Sequence, residues 1–342
     1  HADEPIIEGR KLEKTGEDMD FTKRAGASLL VVLSFCSFAA EPPTDQAEMR
    51  ARQARLPDTP GTGRFPALKE EVASLRDHVV YRPANLAALG STRLGIYLFG
   101  NGGCVDDGAS SRLHLLEIAS HGYLAIAPGR IRTGPGATAA PTPPPPRAAG
   151  APPSPLQVRT SYQDLQSALE WALAQNADPA SPYRGRIDPA AIAVSGFSCG
   201  GVQALRVAPD PRVKAVAVMN SGLFIDGNAG TGLDEMNVPK SALKSLHTPV
   251  LYVLGGETDI AWKNGSDDVR VIDHVPVFLA DLRGVGHGGT YWEPNGGKAA
   301  AVTVAWLDWQ LRGDARAAKL FRGKDCGLCT DPAWIVTRKR ID

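Results

Sequence analysis

The chain predicts an α/β fold, with a mostly parallel central sheet flanked by helices, and three observations predict it. Short apolar runs alternate with longer helix-like stretches from about residue 93 onward. The runs are almost continuously hydrophobic rather than alternating, which marks strands covered on both faces. The 342 residues, 43% hydrophobic and 22% charged, hold enough material for a large core. A single α/β rhythm, unbroken by any change of composition regime, assigns residues 41–342 to one domain.

Taken in order, the strands are expected at 93–100 (RLGIYLFG), 123–128 (YLAIAP), 190–196 (AAIAVSG), 213–220 (VKAVAVMN), 249–256 (PVLYVLGG) and 275–282 (VPVFLADL). Helices are expected at 108–121, 160–177, 199–207 and 297–313. Thr160 or Ser161 caps the second of these, with Asp164 in its first turn. Residues 134–155 (GPGATAAPTPPPPRAAGAPPSP) have too much proline for a helix or a ladder, and read as a long irregular or polyproline excursion within the domain. Residues 221–246 are modest in length and leave no room for a large lid domain, and 314–342 form a C-terminal extension.

Residues 19–40 (MDFTKRAGASLLVVLSFCSFAA) have a basic start, an apolar middle and a small-residue end, the three parts of a secretory signal. The apolar middle falls short of the ~20 residues a membrane span needs, so no stable membrane insertion is expected after cleavage. The polar residues 1–18 are set aside from the fold as an extension of uncertain origin. The expected location is outside the cytoplasm, secreted or periplasmic. There, Cys104, Cys199, Cys326 and Cys329 permit three disulfide pairings, and the lone CGLC at 326–329 reads as a short-loop disulfide rather than a zinc ribbon. Lys plus Arg and Asp plus Glu both number 37, so no net basic field draws nucleic acid and no such partner is expected.

The segment AVSGFSCGGVQAL, residues 193–205, places Ser198 in a Gly-x-Ser-x-Gly turn between an apolar run and a helical pattern. Such a turn holds a nucleophilic serine at a strained backbone angle and aims the next N–H, that of Cys199, at a reacting carbonyl oxygen. The second half of an oxyanion hole is expected from the loop after an earlier strand, where Asn101, Gly102 and Gly103 stand. A dinucleotide fingerprint is the competing reading of G-N-G-G, and it fails because the next glycine, Gly108, is too far on.

A serine nucleophile needs a base, and the base an acid to orient it. Asp259 lies just past the 249–256 strand and His287 just past the 275–282 strand, both at carboxyl ends, where open α/β sheets carry their sites. Glu257, Asp267 and Asp226 stand as alternative acids. Trp262, Tyr291 and Trp292, near the triad in sequence, are expected to line a substrate pocket, with core packing as the alternative. No HExxH or comparable spacing exists, and neither a metal nor another cofactor is expected.

From about 93 to 313 the chain resembles the secreted α/β-hydrolase esterases, the group of dienelactone hydrolase, platelet-activating-factor acetylhydrolase and the cutinase-like polyester hydrolases. The resemblance implies Ser198 as nucleophile, His287 as base, Asp259 as acid, and Cys199 with the 101–103 loop as oxyanion hole. It implies hydrolysis of a small-molecule or polymeric carboxylic ester through an acyl-enzyme. A lactonase, an acyltransferase or a peptidase on the same triad, and a non-catalytic binding protein on the same fold, are the alternatives. The loop departs from the H-G-G-G of many esterases, leaving the second donor open. Because Cys104 and Cys199 each adjoin one half of the hole, the expected fold brings them together; a disulfide bracing the hole and two separate buried thiols are the two readings.

Overall fold

β3 (Leu94–Gly100) has every residue buried, as its continuous apolar sequence requires, and the rest of the sheet is arranged around it. The computed structural model describes residues 53–140, 157–227 and 234–342. The N-terminal extension, the signal-like segment and residues 141–155 of the proline-rich run lie outside the described residues.

In chain order the elements are β1 (Ala67–Val72), β2 (Leu75–Pro83), β3, α1 (Arg112–Ser120), β4 (Tyr123–Pro128), α2 (Tyr162–Ala177), β5 (Ile187–Phe197), α3 (Cys199–Val207), β6 (Ala215–Met219), β7 (Val250–Leu254), α4 (Trp262–Val271), β8 (Val277–Leu282), α5 (Gly297–Arg312) and β9 (Trp334–Lys339). The strands form one mixed sheet in the order β1-β2-β4-β3-β5-β6-β7-β8-β9. From β4 to β8 every neighbouring pair is parallel, and β1, β2 and β9 pair antiparallel at the two edges.

The six strands expected from the sequence are all present, shifted by a few residues at their ends. β5 begins earlier than expected, because Ile187 already pairs with Leu94. The helix expected at 108–121 starts only at Arg112, since Asp107 accepts the N–H of Ala109 and that of Arg132 and ties the preceding residues into a loop. At the head of α2 the Asp164 carboxylate accepts the Ser161 N–H at 2.7 Å, a capping box that fixes Ser161 as the cap. Three strands, one longer helix and two four-residue helices, Ala315–Ala318 and Gly327–Thr330, went unanticipated. β1 and β9 are edge strands with several charged residues, and α4 (WKNGSDDVRV) is too polar to show a strong apolar face.

Side chains alternate across the sheet and build a core on each face. Leu94, Ile96 and Leu98 of β3 join one core with α2, α3 and α4; Tyr97 and Phe99 join the other with α1 and α5. No described helix is long and apolar enough to cross a membrane.

The chain leaves β3 through α1 to β4 on one side and leaves β5 through α3 to β6 on the other. β3 and β5 stay paired up to Gly100 and Gly196 and the connections leaving their carboxyl ends run to opposite sides, a reversal of strand order at which open α/β sheets form their crevice.

Candidate active site

Ser198 stands at that crevice, between the last residue of β5 and the first of α3, with φ 54° and ψ −120°. A non-glycine residue there stores on the order of 1–3 kcal/mol of strain, which persists only where the surroundings enforce it. Here they do: Ser198 N–H donates to Met219 O at 3.0 Å, and its carbonyl accepts Gly201 N–H at 2.8 Å and Ser221 Oγ–H at 2.6 Å. Two glycines make the turn sterically possible. A Cβ on Gly196 would overlap the Gly200 carbonyl, and one on Gly200 would overlap the Gly100 carbonyl.

The structure brings the three residues of the expected triad together. His287 Nε2 lies 2.9 Å from Ser198 Oγ, and His287 Nδ1 lies 2.6 Å from Asp259 Oδ1. With Nδ1–H donating to the carboxylate, the Nε2 lone pair faces the serine hydroxyl. The Asp259 side chain is fully buried while that of His287 is 26% exposed, so the imidazole is reachable from solvent and the carboxylate is not. Burial works against the Asp259 charge, yet hydrogen bonds from His287, the Ala261 N–H and Asn220 outweigh it and hold the carboxyl below its ordinary pKa.

Asp259 is anchored on both oxygens: Oδ1 also accepts Ala261 N–H at 2.9 Å, and Oδ2 accepts Asn220 Nδ2–H at 2.8 Å and Gly255 N–H at 3.1 Å. The alternative acids are elsewhere engaged or outside the arrangement. Asp267 pairs with Lys240 and Arg270, and Glu257 and Asp226 are exposed.

Cys199 is the first residue of α3, and the first N–H groups of a helix have no intrahelical acceptor, so that of Cys199 is available to an anion beside Ser198. Across the crevice, Gly102–Cys104 form a single 3₁₀ turn after β3. Asn101 shapes that turn: its fully buried side-chain amide donates to Pro128 O at 2.7 Å and Val105 O at 2.9 Å, so the amide is spent on the loop itself. The Cα atoms of Cys104 and Cys199 are 5.4 Å apart, within disulfide range, and those of Cys326 and Cys329 are 4.9 Å apart.

The three aromatic residues expected in a substrate pocket separate. Tyr291 is 0% exposed, its ring 4.6 Å from that of Phe197 and 5.5 Å from that of His114, so it belongs to the core and lines no surface. A turn closed by Gly289 N–H on Gly286 O at 3.2 Å follows His287, and sequence distance does not reveal that Tyr291 beyond it is buried. Trp262 heads α4 and donates its indole N–H to Asp281 at 2.8 Å, which fixes the acid loop. Trp292 alone stays near the opening, half-buried and edge-on to Phe197, whose ring lies 5.3 Å from the His287 imidazole.

Two residues escaped the sequence reading. Phe197 was visible only as the variable position of the motif. Asn220 sits at the end of β6 with φ 44°, and its sole sequence signal is a polar residue closing an apolar run. Among the described residues no group of three or more His, Cys, Asp or Glu side chains is arranged to hold a metal. No family model matches the chain, and no curated protein matches it.

Proposed function

We propose that this chain is a serine hydrolase of the α/β-hydrolase superfamily that cleaves carboxylic esters outside the cytoplasm. The observation that carries the reading is the continuous relay Ser198 Oγ, His287 Nε2, His287 Nδ1 and Asp259 Oδ1, at 2.9 and 2.6 Å, on a strained strand-to-helix serine. The chain order Ser, Asp, His and the glycine loop after β3 agree with the same superfamily. Two cysteine pairs at disulfide distance suit an oxidising compartment.

Ser198 Oγ attacks the ester carbonyl as His287 Nε2 takes its proton, and Asp259 stabilises the resulting imidazolium. The carbonyl oxygen, now an anion, is held by the Cys199 N–H and by the N–H of Gly102 or Gly103. His287 returns the proton to the departing alkoxide, leaving Ser198 acylated. Water, deprotonated by the same imidazole, attacks the acyl carbon and releases the carboxylic acid and free serine. Preorganised donors of this kind are each worth ~100–1,000-fold in kcat.

The test is hydrolysis of p-nitrophenyl esters from acetate to palmitate by the wild type and by Ser198→Ala. The expected result is turnover by the wild type and a loss of several orders of magnitude in the variant. A folded wild type inert toward the whole series and toward a fluorophosphonate would overturn the reading. Amide substrates and alcohol acceptors in the same assay separate a peptidase or an acyltransferase from a hydrolase.

A further inference from the structure

The two candidate halves of the oxyanion hole are carried by segments far apart in sequence, and one covalent bridge spans them. Cys199 supplies the N–H next to Ser198, and its own side chain meets Cys104, the residue directly after Gly102 and Gly103, across 95 residues of chain. The bridge therefore joins the two donor segments covalently, beside the backbone contact between Gly100 and Gly200.

The loop it holds does not favour its own shape. Gly103 and Cys104 both adopt left-handed backbone, at φ 64° and φ 47°, and Cys104 is not a glycine. A residue so placed relaxes unless something fixes it. Backbone hydrogen bonds hold the peptide groups on either side of Cys104: its carbonyl accepts the N–H groups of Arg159 at 2.9 Å and Thr160 at 3.1 Å, and its own N–H donates to Asn101 O at 3.1 Å. The side chain has one strong anchor, Cys199. Both cysteines are 0% exposed and pack against Met236, with Val158 and Phe224 alongside. Buried in this way, the bridge is out of reach of dissolved thiols, which marks it as a permanent brace rather than a switch. The Cys326–Cys329 pair differs, since Cys329 is exposed and the loop it closes is three residues in span.

We propose that the Cys104–Cys199 disulfide is a positioning element of the reaction centre: it sets the spacing between the Cys199 N–H and the Gly102–Gly103 N–H groups, and so the strength of the oxyanion hole. This rests on the hydrolase reading. Without the bridge the 102–104 turn relaxes, one set of donors swings away from the tetrahedral oxygen, and the triad, anchored on β5, β7 and β8, keeps its geometry. The loss falls on the transition state rather than on ground-state binding.

The experiment compares wild type, C104A/C199A and C326A/C329A on one p-nitrophenyl ester and on its thionoester counterpart. Sulfur is a poor acceptor for backbone N–H groups, so the oxo-to-thiono ratio of kcat/KM reports the hole and not merely folded protein. The expected result for C104A/C199A is a fall of ~100-fold in kcat, the scale of one lost donor, with KM within ~3-fold of wild type and a collapsing oxo-to-thiono ratio. C326A/C329A keeps wild-type values. Should C104A/C199A not fold, C104S/C199S, closer in size to the native pair and judged native by near-ultraviolet circular dichroism, takes its place.

Wild-type kcat and ratio in the bridge-free protein overturn the proposal, as does a fall in kcat with the ratio unchanged, which is the mark of a merely structural role. An inert wild type instead overturns the hydrolase reading and this inference with it, so the two failures are distinguishable.

Discussion

Asn220 Nδ2 donates to Asp259 Oδ2 at 2.8 Å, joining the end of β6 to the carboxylate at the end of β7. Its N–H donates to Val253 O at 2.7 Å, which holds the left-handed turn that points the amide at the acid. Asn220→Ala removes one of several donors to Asp259 and is expected to lower kcat by roughly tenfold with little change in KM. Asp259→Asn, which disturbs the imidazole tautomer itself, is expected to cost on the order of 10⁴ in kcat. Steady-state kinetics on a single ester compares the two.

Gly196→Ala and Gly200→Ala place a methyl group against backbone carbonyls with no side chain able to yield. Each is expected to cost ~3 kcal/mol or more, at the upper end of overpacking penalties. Urea denaturation measures the loss; a variant within ~0.5 kcal/mol of wild type would show the turn to be looser than its geometry.

The Tyr291 hydroxyl is buried and has no hydrogen-bond partner among the described residues. Tyr291→Phe is therefore expected to be neutral or stabilising by ~1 kcal/mol, and Tyr291→Ala to cost ~3–5 kcal/mol. Neither the profile of acyl chain length nor KM changes in Tyr291→Phe, whereas Trp292→Ala raises KM for aromatic or long-chain esters. Thermal melts and the ester series give both answers.

Acidification acts on two buried groups in opposite senses. Burial holds His114 neutral, its pKa pushed down to about 3. The unfolded chain takes up that proton near the ordinary value, so this group's stability is fully present above about pH 6.5 and is lost on acidification toward pH 3. Burial raises Asp268 to about 6, against the opposing pull of Lys240. It is protonated in the folded state first, so the fold gains stability between about pH 6 and pH 4. His114→Gln is expected to flatten the fall of Tm between pH 7 and pH 4.5, and Asp268→Asn to steepen it. Parallel slopes in all three proteins would discard the assignment.

What was legible in the sequence was what depends on local pattern. The β3 and β5–β8 strands are continuous apolar runs because helices cover both faces, and the Ser198 turn is spelled by glycines whose absence of side chains is a steric necessity. The positions of Asp259 and His287 followed from strand ends alone. Features that depend on which strands become neighbours left no local trace: Asn220 reaches Asp259 only because β6 lies beside β7. Tyr291 misled for the opposite reason, being near His287 along the chain but buried in the core. β1 and β9, half solvated, carry charges that break the apolar pattern of a strand.

Those charges have a consequence for the protein in concentrated solution. A chain whose formal charge sums to zero gains no long-range repulsion between copies at neutral pH. Keeping copies apart then falls to the sheet's outer strands, where Glu70, whose side chain is 33% exposed, on one rim and Arg338 and Lys339 on the other would have to shed water before two rims could zip together. Dispersal thus depends on short-range hydration at two narrow strips, a property that moderate salt barely alters and that a single Lys339→Val or Glu70→Val exchange would erode.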